Sequence, residues 1–322
     1  MAQTYPNFEV IVSDNCSPDA ETDVVVERFM RQDARIRYVK QPSNIGMFHN
    51  FKVVFELANG EYFTWLADDD TRDCTFLERC LEVFERPHQS PNLLLVNAYS
   101  QLIPPLRQQD ATSTPVFVGT QGTDGKWDAD DRRNADSKQR ADAKTYRPQP
   151  SSAYRAPPSS RGPAMVQKTD QGCTTVGLPP SERYYQYLSS IYTTQSAIGD
   201  LIHGVMKREQ VQKLLTTQKN ILGWDRVFLS ALALEGEFYT IPEVLMYSSP
   251  DGMSNLKNPK KMAKIQGIHN PLYIWKAKWV RMFFLQQLAW CSQKLTLITK
   301  FRLSLWLWID MVARTFSKHA GK

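Results

Sequence analysis

Residues 60–70 read GEYFTWLADDD, an apolar run that ends in three adjacent carboxylates. Phe63, Trp65 and Leu66 favour a buried strand, and Gly60 marks the turn before it. Three neighbouring carboxylates repel one another, and a divalent cation bound by their oxygens relieves this repulsion. Mg²⁺ or Mn²⁺ held in this way commonly also carries a substrate phosphate. The stretch therefore predicts a strand that ends in a metal site, and the alternative is a solvated acidic turn.

Strands and helices alternate around this stretch, over residues 1–103. The β-branched run FEVIVS at 8–13 is typical of a buried parallel strand. Further strands are predicted at 36–39 and 93–96, and helices over 24–30, 48–57 and 76–84. Such alternation predicts an α/β fold, a mostly parallel, Rossmann-like sheet with helices on both faces. Ligands of such sheets bind beyond the carboxyl ends of the strands, where Asp14 and the acidic triplet lie.

The middle of the chain divides in two. Residues 104–168 contain one Leu, no Ile and eight Pro, and this composition predicts a disordered insertion. Residues 169–256 are globular again, with helices predicted over 184–191, 208–215 and 225–234. A strand at 238–241 is expected to end at Pro242.

Residues 257–322 form a basic, tryptophan-rich region that is predicted to be helical. They contain five of the eight tryptophans, thirteen Lys or Arg and one acidic residue, Asp310. The longest uncharged run, 282–293, is too short to span a bilayer. Basic helices with Trp, Phe and Leu on one face suit peripheral contact with a membrane. The alternative is a helical bundle that packs on the main domain or on a second subunit; nucleic acid is not expected as a partner.

Cysteine usage and the N-terminus bear on the cellular compartment. The five cysteines are scattered and have no zinc-type or disulfide-type spacing, so free thiols in a reducing compartment are expected. The first residues show no signal-peptide pattern. The sequence therefore predicts a cytoplasmic protein, peripheral at the inner face of the membrane.

These motifs together resemble family 2 glycosyltransferases of the GT-A fold. Residues 3–19 resemble the family's second strand and its Asp-rich turn, and Asn44-Ile45-Gly46 with Asn50 resembles its N-x-G…N segment. Residues 60–70 resemble the strand that ends in the family's metal motif. Residues 204–247 resemble its acceptor-binding half. The family's first strand has no counterpart here, so the resemblance predicts that the nucleotide-sugar-binding half, 1–103, is N-terminally incomplete.

The resemblance implies an inverting, metal-dependent transfer of sugar from a nucleotide-sugar donor to a glycan or lipid-linked acceptor. It assigns the base role to Asp225, donor binding to Asp14, Asn15, Asn44 and Asp68, and Mg²⁺ or Mn²⁺ binding to Asp69 and Asp70. The family's Asp-x-Asp-Asp motif aligns its first Asp with Ala67, which makes Asp69 the direct ligand, with Asp70 behind it.

Simpler readings and other functions stay open. Asp225 could instead cap a helix, and Asp14 could be a turn-forming residue. One alternative function is an inactive, truncated glycosyltransferase that only binds membrane or partners. A nucleotidyltransferase would use similar metal chemistry, but the sequence shows no Gly-rich phosphate loop.

Overall fold

Helices and strands alternate in the N-terminal part of the chain, as predicted for residues 1–103. The computed structural model describes residues 2–18, 21–87, 90–102, 173–193, 198–248 and 258–317; the predicted insertion at 104–168 lies outside them. The strands are β1 Val10–Asp14, β2 Ile36–Lys40, β3 Tyr62–Phe63, β4 Thr71–Arg72, β5 Leu93–Leu102, β6 Val205–Lys207 and β7 Glu237–Ser248. The helices are α1 Glu21–Gln32, α2 Met47–Leu57, α3 Phe76–Glu85, α4 Pro180–Thr193, α5 Arg208–Leu215, α6 Trp224–Glu235, α7 Pro259–Gln266, α8 Pro271–Trp275, α9 Ala277–Cys291 and α10 Leu297–Ser317.

The strands form two separate sheets. β1 and β2 pair in parallel, and the other sheet has the order β3-β6-β5-β7-β4. Within it only β5 and β7 run parallel; β6 pairs antiparallel with both β3 and β5, and β4 with β7. The α/β class is confirmed, whereas the expectation of a mostly parallel sheet is wrong for the five-stranded sheet. The short strands β4 and β6, which run antiparallel to their neighbours, were not predicted.

Helices cover both faces of the five-stranded sheet, as expected. Neighbouring residues of each strand point to opposite faces. Val96, Val205 and Ile241 pack on one face with α3. Leu95 and Phe238 pack on the other face with α4 and α6. The acidic triplet, which lies between β3 and β4, is therefore attached to a sheet that is covered by helices on both faces.

Strand β7 is longer than the sequence predicts. It continues through Pro242 to Ser248, and its pairing with β5 shifts register between Ala98 and Tyr99, opposite Ile241 and Val244. A bulge tolerates a proline because one residue of the bulged strand makes no ladder hydrogen bond. Pro242 therefore bends the strand and does not end it.

The predicted helical tail packs onto the main domain through one side of its helices. Met282, Leu285 and Ala289 of α9 and Leu303 and Leu307 of α10 are buried in the main core. The Tyr184 hydroxyl of α4 donates to the Leu285 carbonyl at 2.7 Å. The bundle-packing alternative is thereby confirmed for this side of the helices.

Candidate active site

The acidic triplet lies in a tight turn between β3 and β4. The strand ends at Phe63, earlier than predicted, and residues 64–67 run on without ladder pairing. The Asp70 amide donates to the Ala67 carbonyl at 3.3 Å, which closes the turn. Asp68 and Asp69 are exposed, whereas Asp70 is partly buried. Among the described residues, neither Asp68 nor Asp69 has a hydrogen bond or an ion pair, so both carboxylates are available to a ligand.

A partly buried arginine anchors this turn. Nη2 of Arg72 donates to the carbonyl oxygens of Trp65 and His203 and to Thr64 Oγ1 at 2.9 Å. Its guanidinium also lies over the Phe76 ring, 4.5 Å from the centroid. Burial lowers the pKa of Arg72 to about 10, so the side chain stays charged at neutral pH. Sequence reasoning missed Arg72, since its partner His203 is 131 residues away in the chain.

His203 lies beside the same turn and is neutral. Burial, followed by the charge of Arg72, lowers the pKa of His203 to about 4. Nδ1 lies 3.1 Å from the Trp65 carbonyl oxygen, which can only accept, so Nδ1 carries the proton. Nε2 then faces the Asp70 carboxylate, with Oδ2 at 3.9 Å. Asp70 lies on the more buried side of the turn, and Asp68 and Asp69 lie on its open side.

Asp14 ends β1 in a buried network. Its Oδ1 accepts from the Ser17 amide at 2.8 Å, and its Oδ2 lies 3.2 Å from the Tyr38 hydroxyl and 3.6 Å from Lys40 Nζ. Burial alone would raise the pKa of Asp14, but the hydrogen bonds from Ser17 and Tyr38 and the charge of Lys40 outweigh it and lower the pKa. Both oxygens thus have partners within the protein, as the turn-forming alternative expects. A carboxylate has about four lone-pair positions, so Asp14 can still accept from a ligand.

The predicted donor-binding asparagines lie next to each other. Asn15 Nδ2 donates to Asn44 Oδ1 at 3.0 Å, and Asn15 Oδ1 accepts from the Ile45 amide at 2.9 Å. Asn44 Oδ1 also accepts from the Gly46 amide. The two side chains therefore join the turn after β1 to the turn before α2. This arrangement fixes the shape of a polar edge at the carboxyl end of β1.

An aromatic cluster connects the predicted site segments beneath this surface. Trp65, which precedes the acidic turn, lies 6.4 Å from Trp224 at the start of α6 and 5.7 Å from Phe51 of α2, centroid to centroid. Phe48 of α2 completes the contact with Trp224 at 5.1 Å. The indole N–H of Trp65 donates to the Phe51 carbonyl at 3.1 Å. Trp224 packs edge to face with Phe48 and Trp65, and Phe51 stacks on Trp65, so the three segments hold a fixed relation to one another.

Asp225 occupies the first turn of α6, directly after Trp224. The N-cap of this helix is Gly223, with φ of 78°, so the capping alternative for Asp225 is wrong. Asp225 is partly exposed, and no hydrogen bond or ion pair of its side chain occurs within the described part of the chain. The guanidinium of Arg281, from α9, packs against Gly223 and donates to the Leu222 carbonyl at 3.4 Å. The turn that presents Asp225 is thus supported by both the aromatic cluster and the C-terminal helices.

The acidic turn suits a shared cation better than a permanently bound one. The described residues contain no cluster of three or more His, Cys, Asp or Glu side chains that could hold a metal by themselves. The exposed carboxylate of Asp69 is an oxygen ligand of the kind that Mg²⁺ or Mn²⁺ takes when water and phosphate oxygens complete its shell, and the exposed Asp68 lies beside it. The donor set therefore fits a cation that arrives with a diphosphate.

Comparison with known proteins identifies the N-terminal part of the chain. Residues 1–135 match the family model described as Glycosyl transferase family 2. The chain carries a family 2 glycosyl transferase domain. The chain is 32% identical over 91 residues to an uncharacterized glycosyltransferase of Haemophilus influenzae, a match that covers 28% of this chain and 28% of that protein. It is also 32% identical over 80 residues to the putative teichuronic acid biosynthesis glycosyltransferase TuaG of Bacillus subtilis, which covers 25% and 31% of the two chains.

The extent of these matches differs between sequence and structure. The chain covers less than a third of each of four curated relatives that it matches, with shares of 9%, 28%, 31% and 23%. A structural match to the crystal structure of S. aureus TarS 1–349 in complex with UDP covers 94% of this chain and 62% of the TarS chain. The two are 13% identical, and the TM-score is 0.46. The family 2 domain therefore rests on the sequence match over residues 1–135.

Proposed function

We propose that the chain transfers a sugar from a nucleotide-sugar donor to a hydroxyl of a glycan or lipid-linked acceptor, with inversion and with a divalent cation. The observation that carries this proposal is the acidic turn of a family 2 domain, with two exposed carboxylates and a partly buried arginine, Arg72, as its anchor. The similarity to TuaG, a putative teichuronic acid biosynthesis glycosyltransferase, favours a glycan acceptor.

The acidic turn would stabilise the leaving group. When the anomeric C–O bond to the diphosphate breaks, negative charge grows on the phosphate oxygens, and a bound Mg²⁺ or Mn²⁺ neutralises it. Asp69 would hold the cation directly and Asp68 would contact the donor beside it. Asp70, held by the buried side of the turn, would orient the other two carboxylates. Asp14, Asn15 and Asn44 form the polar edge to which we assign the donor's nucleoside.

Asp225 would act on the acceptor. Inversion requires the acceptor hydroxyl to attack the anomeric carbon from the face opposite the diphosphate, and the hydroxyl proton must pass to a base. Asp225 is partly exposed, and its carboxylate has no partner within the described residues, which suits a base that takes up a proton. The aromatic cluster fixes its turn relative to the acidic turn.

The test is release of nucleoside diphosphate from a panel of uridine and guanosine nucleotide sugars, with Mn²⁺ and with chelator. We expect metal-dependent release from the wild-type protein and loss of it in Asp69→Asn. The matched control is Glu61→Gln, which removes one exposed negative charge from the same segment, eight positions earlier. Equal rates in wild type and Asp69→Asn would refute the assignment of the metal ligand.

A second candidate is a binding protein without transferase activity. The contacts of Asp14 favour it, since both of its carboxylate oxygens already have partners in Ser17, Tyr38 and Lys40 without a donor. On this candidate no nucleotide sugar would bind the folded protein, with or without Mn²⁺. Calorimetry with the same panel separates the two functions.

A further inference from the structure

Helix α10 is apolar on two sides, of which only one faces the protein. Leu303 and Leu307 are buried against the core, at 6% and 3% exposure. Leu305 and Ile309 are 62% and 58% exposed. A helix that only had to pack on the domain would carry polar residues on its outer side. The apolar side chains on the outer side of α10 therefore do not contribute to the packing of α10 on the core.

The neighbouring helix α9 extends this surface. Trp279 of α9 meets Trp308 of α10 with ring centroids 5.8 Å apart, and Trp290 meets Phe301 at 5.0 Å. The two helices thus share one continuous patch, here called the outer apolar face. Its members, each at least 40% exposed, are Trp279, Phe283, Trp290, Leu297, Ile298, Phe301, Leu305, Trp308, Ile309 and Val312. Contiguous exposed apolar patches of this size mark an interaction surface.

The outer apolar face sits on a firmly held support. The indole N–H of Trp290 donates to Ser304 Oγ at 2.8 Å, and Lys300 Nζ donates to the Trp290 carbonyl at 2.7 Å, so α9 and α10 are linked by polar contacts as well as rings. Met282 and Leu285, on the inner side of α9, are buried in the main core. The patch is therefore presented by two packed helices.

Charge decides which partner suits this face. Between residues 276 and 312 the sequence has six basic residues and one acidic residue. Lys276, Lys278 and Arg302 are exposed on the same two helices or at their start. A second copy of the chain would bring these like charges together, whereas an anionic lipid surface complements them. Tryptophan rings also favour the boundary between lipid headgroups and acyl chains.

We propose that the outer apolar face docks on an anionic lipid surface. Trp279, Trp290 and Trp308 lie at the headgroup boundary, the aliphatic side chains of α10 enter the acyl region, and the exposed Lys and Arg side chains contact lipid phosphates. None of the helices among the described residues is long and apolar enough to cross a bilayer. The contact is thus one in which the helices lie on the membrane surface, and it does not depend on the proposed sugar transfer.

Flotation of the full chain tests the proposal. The vesicles contain phosphatidylcholine alone or equal parts of phosphatidylcholine and phosphatidylglycerol. We expect flotation with the anionic vesicles at low salt and weaker flotation as salt rises, since ions screen the basic side chains. The double variant Leu305→Ser/Ile309→Ser should reduce the partition coefficient about a hundredfold, because two large aliphatic side chains no longer leave water. Lys278→Gln and Arg302→Gln should each reduce it about fivefold.

Matched variants keep the result interpretable. Val24→Ser/Val25→Ser removes two exposed aliphatic side chains from α1, at 67% and 45% exposure, and should float as the wild type does. If Leu305→Ser/Ile309→Ser fails to fold by circular dichroism, Phe283→Ser, 62% exposed on α9, replaces it. Absence of flotation, or unchanged flotation of the α9 or α10 variants, would overturn the proposal. The proposal would also be overturned if sedimentation showed a dimer that these variants dissociate and vesicles bound no protein. A second copy of the chain would then cover the outer apolar face.

Discussion

The neutral state of His203 predicts a specific loss of stability on acidification. Its imidazole is buried beside Arg72, and its pKa falls from about 6.5 to about 4 in the folded protein. The unfolded chain takes up a proton at His203 below pH 6.5, whereas the folded chain does so only near pH 4. The stabilising contribution is therefore complete above pH 6.5 and is lost as the pH falls toward 4.

The size of this effect follows from the shift. Each unit of pKa difference corresponds to about 1.4 kcal/mol, so a shift of this size removes about 3 kcal/mol of unfolding free energy between pH 7 and pH 4. The Asp33 carboxyl, whose pKa is lowered to about 2 by hydrogen bonds from Arg35, contributes below this window.

The assay is urea unfolding followed by tryptophan fluorescence at several pH values from 4 to 7, in chelator. In His203→Gln the amide can still donate to the Trp65 carbonyl, but nothing titrates at this position. The unfolding free energy of the wild type should fall about 3 kcal/mol more than that of the variant over this range. His269→Gln serves as the control, because it replaces an exposed histidine outside this buried network. Parallel curves for wild type and His203→Gln would refute the placement of a neutral imidazole beside Arg72.

Two further predictions concern the backbone and the base. Gly46→Ala should destabilise the protein by several kcal/mol in urea unfolding, because φ is 82° and a Cβ would lie 2.6 Å from the Gln266 carbonyl oxygen. The control is Gly177→Ala. Because φ there is 78° but the space around it is open, this variant should destabilise the protein by only about 1 kcal/mol. A Gly46→Ala variant no less stable than Gly177→Ala would contradict this close approach. Asp225→Asn should lower transfer at least about a hundredfold in a coupled diphosphate-release assay with acceptor while donor affinity is kept, and Glu182→Gln, an acid in the first turn of α4, should change neither.

Local patterns in the sequence predicted the framework well. The helix over residues 208–215 has the predicted bounds, and the helix at 225–234 extends by one residue at each end. Their apolar residues recur at helical spacing, and this pattern depends only on near neighbours in the chain. A strand before the acidic triplet was also predicted, but it ends at Phe63, and residues 64–67 lead into the triplet without ladder pairing.

The contacts that shape the site could not be predicted in this way. Arg72 contacts the carbonyl of His203, and His203 contacts that of Trp65, across 131 and 138 residues of chain. A lone Arg or His has no periodicity that reveals its burial, so neither residue stood out. The prediction that the strand ends at Pro242 was wrong because proline disfavours a strand locally, whereas pairing with β5 continues past it through a bulge.

Calorimetric titration of nucleotide sugars, with and without Mn²⁺, tests the central claim most directly. The account predicts that at least one uridine or guanosine nucleotide sugar binds the wild-type chain and Glu61→Gln in a Mn²⁺-dependent way, and that Asp69→Asn abolishes this dependence by removing the charge that pairs with the cation. If Asp69→Asn binds the donor with the same Mn²⁺-dependent affinity as the wild type, or if the folded wild-type chain binds none of the panel, the claim is contradicted.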